Sequence, residues 1–264
     1  MMNSDENLLK HCVTHMLKQL EAAEVSDDPF PHFVVRDLFP SDVYAQMMEL
    51  LPDTSNYQLM DKYNNGAAET RFRMSLEEAH LTTLPAAECT LWRAVRDAIG
   101  DPAIKRTVFR KLSSGITFRF GISSSQVDEA PGYPLPELYR ELSGYSIAPH
   151  PDTRRKVVTM QIALPADNSQ AELGTEFYKR SLNPTTLLRF PRGFETIKRM
   201  PFLPNSGYAF VVLNKISKKS WHGRDELPSG QGTRNSLLNL YYEDMADASP
   251  SLIGKYRSPS RRAA

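Results

Sequence analysis

Residues 144–152 read Gly-Tyr-Ser-Ile-Ala-Pro-His-Pro-Asp, and shortly after them residues 156–164 read Lys-Val-Val-Thr-Met-Gln-Ile-Ala-Leu. In the second run Val158, Met160 and Ile162 alternate with Thr159 and Gln161, the period-two pattern of a strand with one apolar and one polar face. Further stretches of strand composition lie at 116–122, 144–148, 175–178, 208–213 and 236–242, with Pro and Gly in the gaps. Several short strands at such spacing predict a sandwich or barrel, not a parallel α/β sheet. No internal repeat is visible.

Upstream of residue 113 the periodicity is helical. Leu8, Leu9, Cys12, Met16, Leu17 and Leu20 recur at helical spacing and predict a helix over 6–24. The run Asp27-Asp-Pro-Phe-Pro31 breaks it, and 32–35 reads as a short strand. A second helix opens at Pro40-Ser41 with Ser41 as N-cap, a third spans 86–99 with Leu91, Trp92, Val95 and Ile99 on one side, and another runs on to about residue 111. Asn64-Asn65-Gly66 is a turn signal within the polar stretch 53–69. The tail from Arg257 reads as solvated. The expected organisation is one integrated domain of mainly β structure with helices. A helical part, 1–112, packs on a β core, 113–246, and a tail follows over 247–264.

Composition narrows the function. A formal net charge of +1 over 264 residues does not mark nucleic acid or acidic membrane as the partner of the whole chain. The two cysteines, Cys12 and Cys89, lie far apart, which argues against a disulfide scaffold and suits a reducing compartment. No apolar stretch is long enough to span a bilayer, and the acidic start Met-Met-Asn-Ser-Asp-Glu lacks the basic and apolar regions of a signal peptide. The expectation is a cytoplasmic protein with no membrane partner.

The chemistry begins at His150-Pro-Asp152. In an extended segment alternate residues point to one side, so His150 and Asp152 face the same way, with Pro151 suited to a strand end. A distant His222 follows the apolar run 208–213 in Ser220-Trp-His-Gly223. Two imidazoles and one carboxylate on one face of a metal leave adjacent positions open, the ligand set of non-haem iron(II) oxygenases, where a 2-oxo acid chelates and dioxygen takes the last position. Arg234 and Ser236, two residues apart in a predicted strand, are placed to hold the distal carboxylate of a dicarboxylic acid.

The order His-x-Asp, distal His, then Arg-x-Ser resembles the 2-oxoglutarate/iron(II)-dependent dioxygenase superfamily, over roughly residues 113–242. The stretch Pro29-Phe-Pro-His-Phe-Val-Val-Arg-Asp-Leu-Phe-Pro40 is similar to the opening segment of bacterial members. The resemblance implies a distorted double-stranded β-helix, a jelly-roll relative, flanked by N-terminal helices. It implies iron(II), 2-oxoglutarate and dioxygen as cofactors, with ascorbate in support, and His150, Asp152 and His222 as metal ligands. Halogenating relatives have Gly or Ala in place of the carboxylate, so Asp152 favours hydroxylation without halide. A cupin-like barrel with another divalent metal, a protein side-chain hydroxylase and a non-catalytic metal-binding module are the competing readings.

Around this set, Thr159 and Gln161 are expected either to line the cofactor pocket or to face solvent. Tyr145 is odd-spaced from His150 and shares the parity of no ligand, and Trp221 reads as core packing. His11 and His15 sit one helical turn apart without a third partner and read as a solvated face. His32 and His80 have no informative context, and Gly230-Gln-Gly232 is a loop with no following helix. Ten Lys and Arg residues between Lys179 and Arg224, with Arg154, Arg155 and Lys156 beside the metal motif, are expected to border the mouth and draw an anionic small molecule, free or tethered to an acidic carrier. Arg71 and Arg73, with Lys156, are candidate substrate contacts, and 56–69 and 123–135 are candidate lids. No aromatic-studded basic groove stands out, which disfavours a nucleic-acid partner.

Overall fold

The structure is a computed structural model that describes residues 4–60, 69–189 and 191–249. The Asn64-Asn65-Gly66 turn and the tail from Arg257 lie outside the described residues. Among the described residues there are twelve strands: β1 Glu24–Ser26, β2 His32–Val35, β3 Gln58–Leu59, β4 Arg71–Ser75, β5 Tyr133–Glu141, β6 Ile147–His150, β7 Lys156–Ala163, β8 Glu176–Arg180, β9 Phe194–Arg199, β10 Gly207–Val211, β11 His222–Arg224 and β12 Arg234–Tyr242. They form an eight-stranded sheet in the order β1-β2-β10-β7-β12-β5-β4-β3 and a four-stranded sheet in the order β6-β11-β8-β9, with antiparallel pairing throughout. From β5 to β12 the chain passes between the two sheets, with only β8 and β9 staying together in the smaller one. That path is a double-stranded β-helix, or jelly roll. The four strands that precede it extend both edges of the large sheet.

Among the described residues the α-helices are α1 Ser4–Ala22, α2 Ser41–Glu49, α3 Glu78–Leu81, α4 Ala86–Ile99, α5 Pro102–Lys111, α6 Ser113–Phe120 and α7 Pro184–Leu187. On α1, Cys12, Met16 and Leu20 form one buried stripe, and Trp92, Val95 and Ile99 do the same on α4. These stripes share one apolar core with Val158, Met160 and Ile162 of β7, Ala209 and Val211 of β10, and Leu237 and Tyr241 of β12. Their neighbours on the same strands point to the other side, so the helices cover the outer face of the large sheet and leave its inner face for the site. No helix among the described residues is long and apolar enough to cross a membrane.

Several elements differ from expectation. The stretch 116–122, read as a strand for its Ile, Thr and Phe content, lies mostly in α6, which ends at Gly121 in the left-handed region with φ +68°. Tertiary packing overrides β propensity here: Ile116 is fully buried, and a Cβ on Gly115 would stand 2.6 Å from Val211. Pro40, not Ser41, is the N-cap of α2, and no side chain caps it, whereas α5 has Asp101 accepting from Ala103 N at 2.7 Å. β5 is a long central strand despite Pro134 and Pro136. Its pairing with β4 stops at Ser75 opposite Glu137, so the prolines fall where that side of β5 no longer needs ladder donors.

Candidate active site

His150 ends β6, Asp152 lies in the connection to β7, and His222 opens β11. β6 and β11 pair antiparallel with His222 opposite His150, so strand register brings together residues far apart in sequence. The two imidazole centroids are 4.4 Å apart, and His222 Nε2 is 3.7 Å from Asp152 Oδ2. One ligand atom from each of the three residues lies within 4.8 Å of the others. Among the described residues no other such trio of His, Cys, Asp or Glu occurs. The strands approach so closely beside His222 that a Cβ on Gly223 would sit 2.5 Å from Ile147 O, which is why glycine follows the histidine.

The protonation of this trio suits a divalent transition metal. His150 Nδ1 is 2.9 Å from Ala148 O, and His222 Nδ1 is 2.9 Å from Ser220 O. A carbonyl oxygen only accepts, so each Nδ1 carries the proton and each Nε2 keeps its lone pair as a ligand atom. Burial lowers both imidazole pKa values, that of His222 to about 4 with His150 adding to the effect. Burial opposes ionisation of Asp152, yet Lys156 and the two imidazoles hold its carboxyl well below the usual range. Lys156 Nζ donates to Asp152 Oδ1 and Thr159 Oγ1 to Oδ2, each at 2.7 Å. Two neutral imidazole nitrogens and a carboxylate are a donor set for iron(II) and its neighbours, and the residues present fit such a metal.

Beside the trio lies a polar cavity of about 110 Å³. At its wall the buried Glu141 carboxylate gathers three arginines. Arg234 Nη1 donates to Glu141 Oε2 at 2.6 Å and Arg224 Nη2 at 3.0 Å, while Arg71 Nε stands 3.2 Å from Oε1 without hydrogen-bond alignment. Arg234 Nε also donates to Leu173 O at 2.8 Å. Burial alone would raise the Glu141 pKa, but Arg224, Arg234 and Arg71 hold it at about 2. Burial pushes Arg224 down to about 10, with Arg234 adding to the shift and Glu141 opposing it. Arg234 Nη2 and Arg224 Nη1 are buried with no hydrogen-bond partner among the described residues. A buried, unpaired charged donor costs several kcal/mol, so two of them beside one cavity point to an anionic ligand.

Thr159 and Gln161 both line this cavity, and the Tyr208 hydroxyl and Thr175 Oγ1 close a hydrogen-bonded triangle with the Gln161 amide oxygen. Ser236 differs from its expected role. It is fully buried, but its hydroxyl accepts from Gln161 Nε2 at 3.1 Å, and the cavity wall at that point is Gln161. Lys156 and Arg71 line the cavity, whereas Arg73 does not: its guanidinium donates to Glu137 at 3.0 Å. A second, mainly apolar chamber of about 300 Å³ opens on His150 and Asp152, with Met60, Tyr139, Ile147, Leu238, Leu240 and Tyr242 among its walls.

Sequence reasoning missed Glu141, Tyr208 and Thr175, set Tyr145 aside, and took Arg224 only as one of the basic residues between Lys179 and Arg224. Arg224 had a readable signal, since it follows His222 by two residues in a strand. Tyr145 was discounted by strand parity, but β6 begins only at Ile147, and the Tyr145 ring lies in the turn beneath Arg71 and Arg224. Of the basic stretch between Lys179 and Arg224, only Arg224 lines either cavity. Lys179 pairs with Asp28, Arg199 with Glu176, and Arg180 lies over Phe194 and Trp221. Trp221 is half-buried against Phe194, outside the apolar cores. The segment 123–135 is no lid. Val127 and Ala130 join the core under α5 and α6, and no residue of it lines the two cavities. Of the other candidate lid, 56–60 and Glu69 are described, and Met60 reaches the apolar chamber. His11 pairs with Asp42 and His15 meets Asp37 O, so neither forms a metal pair.

No protein-family model matches the sequence, and no curated protein sequence matches it. Solved structures with a similar course include the non-haem alpha-ketoglutarate-dependent epimerase SnoN from nogalamycin biosynthesis, at 11% identity and TM-score 0.48 over 88% of this chain and 83% of that one. They also include an oxidoreductase of the 2OG-Fe(II) oxygenase family from Burkholderia pseudomallei, at 11% identity and TM-score 0.48 over 92% and 93%. A Pseudomonas putida prolyl-4-hydroxylase aligns at 13% identity and TM-score 0.47 over 90% and 99%. At such distance the chemistry of this chain has to stand on its own side chains.

Proposed function

We propose that the chain is a 2-oxoglutarate- and iron(II)-dependent oxygenase that hydroxylates an unactivated C–H bond of a small anionic molecule of the amino-acid or natural-product kind. One observation carries this reading: a trio of two neutral imidazoles and a carboxylate adjoins a cavity walled by buried arginines with unpaired N–H groups. His150, Asp152 and His222 would hold the metal and leave open positions for a chelating 2-oxo acid and dioxygen. When bound, iron(II) with 2-oxoglutarate and dioxygen supplies the oxidation of C–H to C–OH, with succinate and carbon dioxide as co-products.

The chain's own groups do the rest. Arg234 Nη2 and Arg224 Nη1 would hold the distal carboxylate of the 2-oxo acid through charge-assisted hydrogen bonds, and Glu141 fixes both guanidiniums for the task. The Tyr208–Thr175–Gln161 triangle walls the co-substrate and keeps its polar edge satisfied. Lys156 and Thr159 hold the Asp152 carboxylate ionised and in one orientation. Leu238, Leu240 and Tyr242 exclude water from the chamber where the organic substrate sits. A chamber of about 300 Å³ favours a small molecule over a protein side chain.

The test is an anaerobic titration of the iron(II)-loaded protein with 2-oxoglutarate, followed by visible absorbance. Chelation gives a weak metal-to-ligand charge-transfer band, and in Arg234→Ala its half-saturation should move to at least tenfold higher 2-oxoglutarate. Iron binding without any band would leave a metal-binding module or a different co-substrate and would end this proposal.

A further inference from the structure

Arg71 lies outside the jelly roll proper, on β4, the strand hydrogen-bonded to β5 at the edge of the site. It lines both the polar cavity and the apolar chamber, so it stands where the two adjoin. Its guanidinium is held on three sides: Cζ lies 4.7 Å from the Tyr139 ring centroid and 5.2 Å from that of Tyr145, and Nε rests against Glu141. Such a clamp fixes the plane of the fork before any ligand arrives. The Nη atoms make no hydrogen bond among the described residues, and the side chain keeps 17% of its surface accessible inside the site.

Charge adds a second argument. Apart from Arg155 and Asp247, which pair with each other, the walls of the two cavities carry four cationic side chains, Arg71, Lys156, Arg224 and Arg234, against the two carboxylates Glu141 and Asp152, an excess of two. A divalent metal and a dianionic 2-oxo acid offset one another and leave that excess in place. In a low-dielectric chamber an uncompensated positive charge demands an anion. The remaining walls of the larger chamber are mainly apolar and aromatic, so the anion belongs to a molecule with a hydrophobic body.

We infer that Arg71 is the substrate-anchoring residue, and that the substrate is an amphipathic acid whose carboxylate, or similar oxyanion, pairs with the Arg71 Nη edge while its apolar body lies along Leu238, Leu240 and Tyr242 towards His150. This rests on the oxygenase reading for the placement of 2-oxoglutarate, but its recognition chemistry is measurable without turnover. Arg71→Gln is a mild probe, because Glu141 keeps Arg224 and Arg234 as partners. Arg71→Lys keeps the charge and loses the planar fork.

The experiment is calorimetric titration of the full chain, loaded with manganese(II) and 2-oxoglutarate, with alkyl and aryl carboxylates of four to twelve carbons and their matched primary amides. Melting curves of each variant establish that it is folded. In the wild type the acids should bind at least tenfold more tightly than their amides. Arg71→Gln should erase that preference while 2-oxoglutarate affinity stays within twofold, and Arg71→Lys should restore part of it. Absence of any acid preference across the wild-type panel overturns the inference, as does a preference that survives in Arg71→Gln. If Arg71→Gln weakens 2-oxoglutarate and spares the acids, Arg71 belongs to the co-substrate and the inference is also overturned. Failure of 2-oxoglutarate to bind the wild type would sink the oxygenase reading alone, since the acid–amide comparison is then read on the manganese(II) protein.

Discussion

On β7 the side chains of Val158, Met160 and Ile162 meet the helical layer, whereas Thr159 and Gln161, each one residue away, face the polar cavity. β12 repeats the division: Leu237 and Tyr241 go to the helices, while Arg234, Leu238 and Leu240 go to the site. The backbone is common to both faces, and each of the two strands pairs with a neighbour on either side. What differs is how the side chains are stabilised. Outward residues are held by burial of apolar area, which is non-directional and tolerant of shape-conserving change. The polar inward residues are held by hydrogen bonds and ion pairs, where losing one partner strands another. Substitutions on the outer face should therefore cost stability, and those on the inner face should cost ligand binding.

The strongest way to break that comparison is at Asp152. Asp152→Ala removes one of the three metal ligand groups and should lower substrate-coupled succinate formation by more than about 100-fold, beyond what loss of an outer-shell partner causes. Succinate release at the wild-type rate would refute the ligand assignment. On the opposite face Met160→Ala, at a fully buried position, should cost about 2–5 kcal/mol in urea unfolding and leave iron(II) affinity of the folded protein unchanged. A variant that lost iron binding but kept its unfolding midpoint would contradict the division of labour.

Glu141 blurs the comparison, because it lies on the inner face yet contributes to stability. Its pKa falls from an ordinary 4.5 to about 2 beside the three arginines. The unfolded chain therefore binds more protons between these values, and stability rises with pH there. The contribution is complete above about pH 4.5 and is lost as pH falls through about 2, roughly 3 kcal/mol in all. Acid unfolding of the wild type and of Glu141→Gln should differ in slope within that window and run parallel above it. Identical slopes would mean that the carboxylate is not held by the arginines.

The same comparison explains what the sequence made legible. Outer and inner faces of β7 were readable because they alternate within one strand, and His150 and Asp152 were readable for the same reason. His222 entered through its order in the chain. The arginine–glutamate cluster was not readable, because Arg71, Glu141, Arg224 and Arg234 come from four strands whose register no local pattern encodes. Tyr208 reaches the site because it pairs opposite Gln161, again a matter of register. β5 was hidden by two prolines that a strand tolerates only where its neighbour has already ended. The helix at 113–120 was hidden by β-favouring residues, although Gly121 at its end was a stop signal in plain view.

The smallest expected effect is at Thr159, and it sharpens the comparison most. Thr159→Val keeps the shape of the side chain and removes one hydroxyl, which donates to Asp152 Oδ2 at 2.7 Å. Val158 and Met160 on either side stay in the core, so packing of the strand is unchanged and the unfolding midpoint should stay close to wild type. Asp152 keeps Lys156 on its other oxygen, so the carboxylate remains ionised but loses one of the two contacts that fix its orientation. Loss of such an outer-shell partner typically costs about 10–100-fold in metal affinity. Iron(II) titration of Thr159→Val should fall at the lower end of that range, because one of two restraints survives. An unchanged iron affinity would mean that Lys156 alone orients the ligand. A large drop in stability with intact iron binding would place Thr159 with the outer face in its energetics, although it points to the inner one.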